Sequence, residues 1–398
     1  MTPTPPTHTS PTPTSPTPTA PTPTSPTPIS PTPTSPTPTS PRRVAGLFVG
    51  LATLDLVQRV DALPGSDEKA TATWQELAAG GPALNAAVVF AALGADATLV
   101  TRVGPGPLGR LVADDLRRQN VRLIDLADAD YTPAVSAIAV DSGTGARQII
   151  STDAAASTPP APDDPRLNNL AHETVDIVLI DGHHPDLAHA VLDALTEAGT
   201  IDQAHTHGGT DTHGETGDPS GTDTDGLDES TASIGRPTEP PVVLDAGRWK
   251  PPMAQLLPRC SDIICSAAFR LETPAATAGD EASGAPDALL DALLARGARF
   301  AAISNGDKPI RWRHAHGTGQ IEVPPTEVVD TLAAGDALHG AYAWALATRL
   351  AESTSEPVTR RPHALSAAAA IATRSTTHRG TRSWLAGLRE THHPGDSP

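Results

Sequence analysis

Apolar residues in this chain come in short continuous runs, each followed by a helical pattern. Val44-Ala-Gly-Leu-Phe-Val-Gly-Leu-Ala-Thr-Leu-Asp55 opens the series. A continuous run, not an alternating one, is expected of a strand covered by helices on both faces. It therefore reads as a buried strand ending in a polar loop, with Asp55 at its end. Gly80-Gly81-Pro82 precedes an Ala-rich helix over Ala83–Leu93, stopped by Gly94. Thr98–Val103 then reads as a strand and Leu108–Gln119 as a helix. Ile177–Asp181 and Asp186–Ala198 repeat the pair. Val242–Asp245, Ile263–Cys265 and Phe300–Ser304 are further strands, with helices over Met253–Pro258 and Ala285–Arg296. Ile310–Arg313 and Gln320–Val323 form a hairpin, and two long helical patterns follow, from Asp336 and from Pro362. This βα alternation predicts an α/β fold with a doubly wound, mostly parallel sheet and helices on both faces. Short strands near 57–79 and a hairpin within 131–152 break the alternation and predict a small second sheet.

Composition sets the limits of that domain. Residues 1–41 are a Pro-Thr repeat in which PTPTS recurs. Alternating Pro removes backbone donors and fixes φ, so a disordered, semi-extended tail is expected. Residues 200–241 form a polar insert rich in Thr, Gly, Asp and His that cannot bury a core. His205, His207 and His213 within it match no closed set of metal ligands. With 391–398 as a disordered end, the folded domain is expected over 42–390. The 398 residues carry a net charge of −18, which opposes nucleic-acid binding through phosphate neutralisation. No apolar run approaches the roughly 20 residues of a membrane helix, and the first residues lack the charged and apolar regions of a signal peptide. Cys260 and Cys265 read as small core residues, and a reducing, cytoplasmic setting is expected.

Three stretches carry the chemistry. Small residues at Ala333, Ala334 and Gly335 sit where a helix should begin, so their N–H groups can point at an anion. Asp336 lies in the first turn, where a carboxylate can take a proton from a hydroxyl while the amides hold phosphoryl charge. Gly80-Gly81 permits close approach of a small polar ligand, and Asn85 can donate and accept at once. Asp55 is the third element, since strand C-termini are where open α/β sheets bind ligands. His339, three residues past Asp336, reads as a packed helix residue.

Together these stretches resemble the ribokinase-like, pfkB-type carbohydrate kinases. The resemblance rests on Gly50-Leu-Ala-Thr-Leu-Asp55, Gly80-Gly-Pro-Ala-Leu-Asn85, Arg102-Val-Gly104 and Asp330-Thr-Leu-Ala-Ala-Gly-Asp336. Trp74 and Arg147-Gln-Ile-Ile150 are most similar to ketohexokinase and its bacterial relatives. The resemblance implies a three-layer fold with a β lid, and ATP-dependent phosphorylation of a sugar hydroxyl, with Mg2+ on the nucleotide. Asp336 would be the base, with an anion hole at Ala333, Ala334 and Gly335. Asp55, Gly81, Asn85 and Asp181 would bind the sugar. Arg147, Ser304, Gly306, Thr331 and Gly335 would lie along the nucleotide, with 369–373 walling the adenine. The lid is often a homodimer contact in this family. A ketose or furanose-like sugar is the expected substrate, with a nucleoside kinase or a non-catalytic binding protein as rivals. Three departures stand out. Ala333 replaces the usual Gly, at a cost of roughly 1 kcal/mol if φ is positive. Pro82 replaces a common Asn, and Ser266-Ala-Ala-Phe269 stands where Asn-x-x-Glu is common.

Overall fold

The computed structural model describes residues 42–152, 160, 164–170, 172–201, 239–271, 286–352 and 357–392. In chain order the first elements are β1 (Ala45–Val49), β2 (Thr53–Val60), β3 (Trp74–Gly80), α1 (Pro82–Ala92), β4 (Asp96–Thr101), α2 (Pro107–Arg118), β5 (Val121–Asp125), β6 (Val135–Asp141) and β7 (Arg147–Ile150). Then come α3 (Pro165–Leu170), β8 (Ile177–Ile180), α4 (Pro185–Glu197), β9 (Val242–Ala246), β10 (Asp262–Ser266), α5 (Pro286–Leu294), β11 (Phe300–Asn305), β12 (Lys308–His314) and β13 (Gly317–Ile321). The helices α6 (Ala334–Glu352), α7 (Pro357–Ser375) and α8 (Leu385–His392) follow.

A nine-stranded sheet runs β13-β12-β11-β10-β9-β8-β1-β4-β5. Its strands from β11 to β5 are parallel, and the β12–β13 hairpin adds an antiparallel edge. The expected α/β architecture is what forms. β8 and β9 are buried at every position, because helices cover both faces of a parallel sheet. Two apolar layers result. One packs α1, α6 and α7 against the sheet, and the other packs α3, α4 and α5. α1 is buried almost all round, so its apolar positions show no single stripe. Buried Asp262 ties the first layer to β10. It accepts bonds from Tyr342 (2.6 Å) in α6, Arg361 (2.7 and 3.0 Å) in α7 and Ser261 (2.6 Å).

The second sheet has the order β3-β2-β6-β7. Register pairs Asp55 with Ala78 and Ser136, Val57 with Glu76 and Ile138, and Arg59 with Trp74 and Val140. Side chains alternate between faces, so Asp55, Val57, Arg59 and, through Val140, Arg147 share one face.

Several expectations need correction. The first apolar run is two strands in two sheets: β1 ends at Val49, and Asp55 is the third residue of lid strand β2. Both strands are buried, so no polar break marked the change of sheet. The last long helix starts at Pro357 and carries Pro362 inside it, where a helix start was expected. Pro362 is the sixth residue of that helix, past the four N–H groups without an intrahelical partner, so it removes one helix bond. Strand β5 and the short helices α3 and α8 were not anticipated. β5 reads VRLID and is mostly half-exposed, so it lacks the apolar run of its neighbours. The Pro-Thr segment and most of the insert, with His205, His207 and His213, lie outside the described residues. The described flanks of the insert are built in: the Pro241 carbonyl accepts from Val178 N at 2.9 Å. Thr391 and His392 still belong to α8, while the rest of 391–398 lies outside the described residues. Cys260 and Cys265 are buried, and burial raises both thiol pKa values, that of Cys265 to about 12. Among the described residues no helix is long and apolar enough to cross a membrane.

Candidate active site

α6 begins at Ala334, so amides of its first turn lack an intrahelical partner, although Ala334 N makes a long bond to the Thr331 carbonyl at 3.3 Å. The Ala333 carbonyl accepts the bond from Ala337 N (2.9 Å), which makes Ala333 the residue on which the helix is closed. It does so with φ +59°, the left-handed region that a Cβ disfavours. The backbone at 333–335 therefore turns sharply into the helix, the geometry that directs successive N–H groups to one point.

Asp336 stands in that first turn. Its Oδ2 accepts from Asn85 Nδ2 at 2.7 Å. Burial raises its carboxyl pKa above the ordinary value. The Asn85 bond and His339 work against the shift, and Asp55 and Asp181 add to it. A raised carboxylate beside helix-start amides can take a proton from an alcohol while those amides hold the anion being transferred.

Asn85 belongs to α1, and the glycines before it explain its position. Gly81 has φ +101°, and a Cβ there would lie 2.3 Å from the Leu51 carbonyl oxygen. At Gly80 a Cβ would meet the Asp55 carboxylate at 1.9 Å. Asp55 thus lies on the backbone of β3, with Thr53 Oγ1 donating to it at 2.7 Å. Burial raises its pKa, opposed by hydrogen bonds from Thr53 and Ser136 and by the charge of Arg382. Arg382 completes the group, donating to Asn85 Oδ1 (2.9 Å) and to the Ala79 carbonyl (2.8 Å). Asn85 is therefore bonded on both sides, and its amide orientation is set.

Asp181 occupies a different place. It is 2% exposed, and it accepts from the backbone N–H groups of Leu51 (2.8 Å), Ala83 (3.1 Å) and His183 (2.9 Å). It holds the end of β1 to the start of α1. Arg147 is exposed on β7. Ser304, next to last in β11, pairs with Ser266 of β10 and donates to the Cys265 carbonyl at 3.4 Å. Gly306 turns into β12 with φ +58°. Thr331 is exposed in the loop before α6. Asp55, Asn85 and Asp336 are thus brought together, whereas Arg147, Ser304, Gly306 and Thr331 lie exposed or half-exposed.

Two further pairs were not singled out by sequence. Asp330 forms a buried ion pair with Arg59 of the lid and accepts from Leu332 N and Gly380 N, both at 3.0 Å. Leu332 packs with Val57, Ile138 and Val140 on the lid face. The loop that precedes α6 is thereby fastened to the lid. The signal in the sequence was Arg59, two residues past Val57 on the Asp55 face. His339 is packed as expected, but its ring lies 3.1 Å from Asp245 Oδ2.

The chain matches the family model described as pfkB family carbohydrate kinase over residues 47–209 and 228–385. An ATP-dependent ribose-1-phosphate kinase from Halopiger xanaduensis is 32% identical over 157 residues, 38% of this chain. The match spans about half, 51%, of that relative's length. A Giardia lamblia ribokinase structure is 15% identical with TM-score 0.64, covering 86% of this chain and 99% of the other. An Arabidopsis thaliana ribokinase complexed with ribose and ATP is 19% identical with TM-score 0.56, covering 87% and 99%. At those identities the likeness is one of fold.

Proposed function

This chain belongs to the pfkB family of carbohydrate kinases, and from that premise we propose that it transfers the γ-phosphate of ATP to a hydroxyl of a ketose or furanose-like sugar. The observation that carries the reading is the Asp336 carboxylate, held by Asn85 at the start of α6 beside the turn at Ala333. In this reading Asp336 takes the proton of the sugar hydroxyl as the oxygen attacks phosphorus. The amides of Ala333, Ala334 and Gly335 stabilise the transferring phosphoryl group. Asp55, Asn85 and the backbone at Gly81 hold the other hydroxyls. Asp181 acts one step back, positioning that backbone. On the nucleotide side, Arg147 shares the lid face of Asp55 and meets the phosphates, with Ser304, Gly306 and Thr331 along the same side. Mg2+ arrives with ATP and neutralises phosphate charge. Among the described residues no group of three or more His, Cys, Asp or Glu stands ready to hold a metal ion, so no protein ligand is assigned to it.

The relative that acts on ribose 1-phosphate favours one second reading, a phosphorylated furanose. Lys250, which follows β9, donates to His183 Nδ1 at 2.8 Å after β8, and would supply positive charge for the extra phosphate. ADP release with Mg-ATP and a panel of ketoses, aldoses, nucleosides and sugar phosphates separates these readings. Release with a free sugar supports the first, and release only with a phosphorylated one supports the second. Release with nucleosides alone, or with nothing, contradicts both.

The lid face away from the site supports a homodimer. Leu77, Val135 and Ile150 pair with Leu56, Leu54 and Ala137 on that face and are 55%, 40% and 77% exposed. A contiguous apolar sheet face of this kind marks an interaction surface. Leu77→Lys with Ile150→Lys should yield a monomer by light scattering if the wild type is a dimer.

A further inference from the structure

Arg382 precedes α8 and reaches both α1 and the end of β3. Its Nη1 donates to Asn85 Oδ1 at 2.9 Å, and its Nη2 to the Ala79 carbonyl at 2.8 Å. The backbone on either side of it is anchored. Gly380 N donates to Asp330 Oδ2 at 3.0 Å, and Trp384, Leu385 and Leu388 are buried in the apolar layer that contains α1. Asp115 of α2 stands 3.6 Å from Arg382 Nε, and the charges of Asp115, Glu76 and Asp55 favour the cation. The guanidinium is thus held by α1, β3 and α2 together.

The two partners of Asn85 differ in what they can do. A carboxyl group accepts hydrogen bonds when ionised and can donate one when protonated. Asp336 alone would therefore not fix the amide, because on gaining a proton it could donate to Oδ1 of a turned Asn85. A guanidinium only donates. With Arg382 against it, the amide oxygen must face Arg382, which leaves Nδ2 facing Asp336 Oδ2 at 2.7 Å. Turning the amide would set an NH2 group against a cation.

We propose that Arg382 is a positioning residue of the phosphoryl-transfer site, holding Asn85 as a donor to Asp336 and holding the end of β3 beside Gly80 and Gly81. It acts through Asn85 and touches no reacting atom. Its consequence for transfer rests on the reading of Asp336 as the base and Asn85 as a sugar-binding residue. In that reading Asn85 keeps donating to Oδ2 while Asp336 takes the proton of the attacking hydroxyl, so the carboxyl keeps its aim as the proton comes and goes.

Arg382→Met removes the donors and keeps much of the stem. In this variant kcat/KM for the accepted sugar should fall about tenfold to a hundredfold, with KM for ATP little changed. In an Asn85→Ala background the same substitution should cost less than about threefold. Equal losses in the two backgrounds would overturn the proposal, because a residue that only packs does not act through Asn85. If Arg382→Met does not fold, Arg382→Gln serves in the same cycle, since its amide accepts as well as donates and no longer enforces one orientation. The second arm needs no turnover. In proton–nitrogen NMR, the Asn85 side-chain amide is identified by its loss in Asn85→Ala. One of its protons should lie downfield in the wild type through the bond to Asp336, and should return to the ordinary range in the Arg382 variant. No downfield proton in the wild type, or one that persists in the variant, overturns the proposal. No ADP release by the wild type with any sugar would refute the functional reading alone, and the NMR result would still decide what Arg382 does to Asn85.

Discussion

Ala333 is the residue at which sequence and backbone disagree most openly. Its φ of +59° is left-handed, where an L side chain costs about 1–2 kcal/mol. Ala333→Gly removes that strain and adds unfolded-state freedom worth about 0.4–1 kcal/mol in the opposite direction. The net effect is a stabilisation of about 0.5–1 kcal/mol. Equilibrium urea unfolding should show a higher midpoint with an unchanged slope, and the melting temperature should rise by about 2 °C. Turnover should change little, because the proposed transfer uses the N–H groups of 333–335 and not the methyl. Ala334→Gly is the control. Ala334 is helical, so glycine there should destabilise by about 0.5–1 kcal/mol. A lower midpoint for Ala333→Gly, matching Ala334→Gly, would refute the left-handed assignment and with it the sharp turn that aims the amides.

Other consequences can be checked independently. Arg59→Ala leaves buried Asp330 with only its two backbone donors, and should cost about 3 kcal/mol. The double variant Arg59→Ala, Asp330→Ala should cost less than the sum of the two single ones, read from a urea-unfolding cycle. Arg361→Ala strips two bonds from buried Asp262 and should destabilise by about 3–5 kcal/mol. Asp336 must be ionised to accept a proton, and its pKa is raised by burial. The acid limb of kcat should therefore lie above the ordinary carboxylate range, with activity lost as pH falls through it. The same shift acts on stability with the opposite sense. The folded state binds that proton more tightly than the unfolded chain, so stability falls as pH rises from the ordinary carboxylate value through the folded one. Asp336→Asn should melt higher than wild type at pH 7, with the difference closing at acid pH.

The sheet was legible because β1, β8, β9 and β11 are continuous apolar runs, each followed by a helical pattern or a turn. β5 was not, since its half-exposed VRLID lacks that run. The change of sheet between Val49 and Thr53 was hidden for the opposite reason: the residues on both sides are buried. At the site, Asp336 and Asn85 were legible from the small-residue and glycine turns that mark helix starts, whereas Asp55 was singled out as a strand end and stands inside lid strand β2 instead. Arg59, Arg382 and Asp245 gave no such mark. Their roles come from partners distant in sequence: Arg382 lies 297 residues from Asn85, and Arg59 271 from Asp330. Asp181 illustrates the limit of position alone. It follows a strand at the ligand-binding edge, yet its oxygens are engaged by three backbone amides.

The central claim is that Asp336 is the base of a phosphoryl transfer. Transfer of labelled γ-phosphate from Mg-ATP to the accepted sugar, measured for wild type and Asp336→Asn side by side, tests it most directly. The account predicts a labelled sugar phosphate from the wild type. It predicts a kcat lower by about 10²–10⁴ in the variant, with KM for ATP little changed. Turnover by Asp336→Asn close to that of the wild type would contradict it.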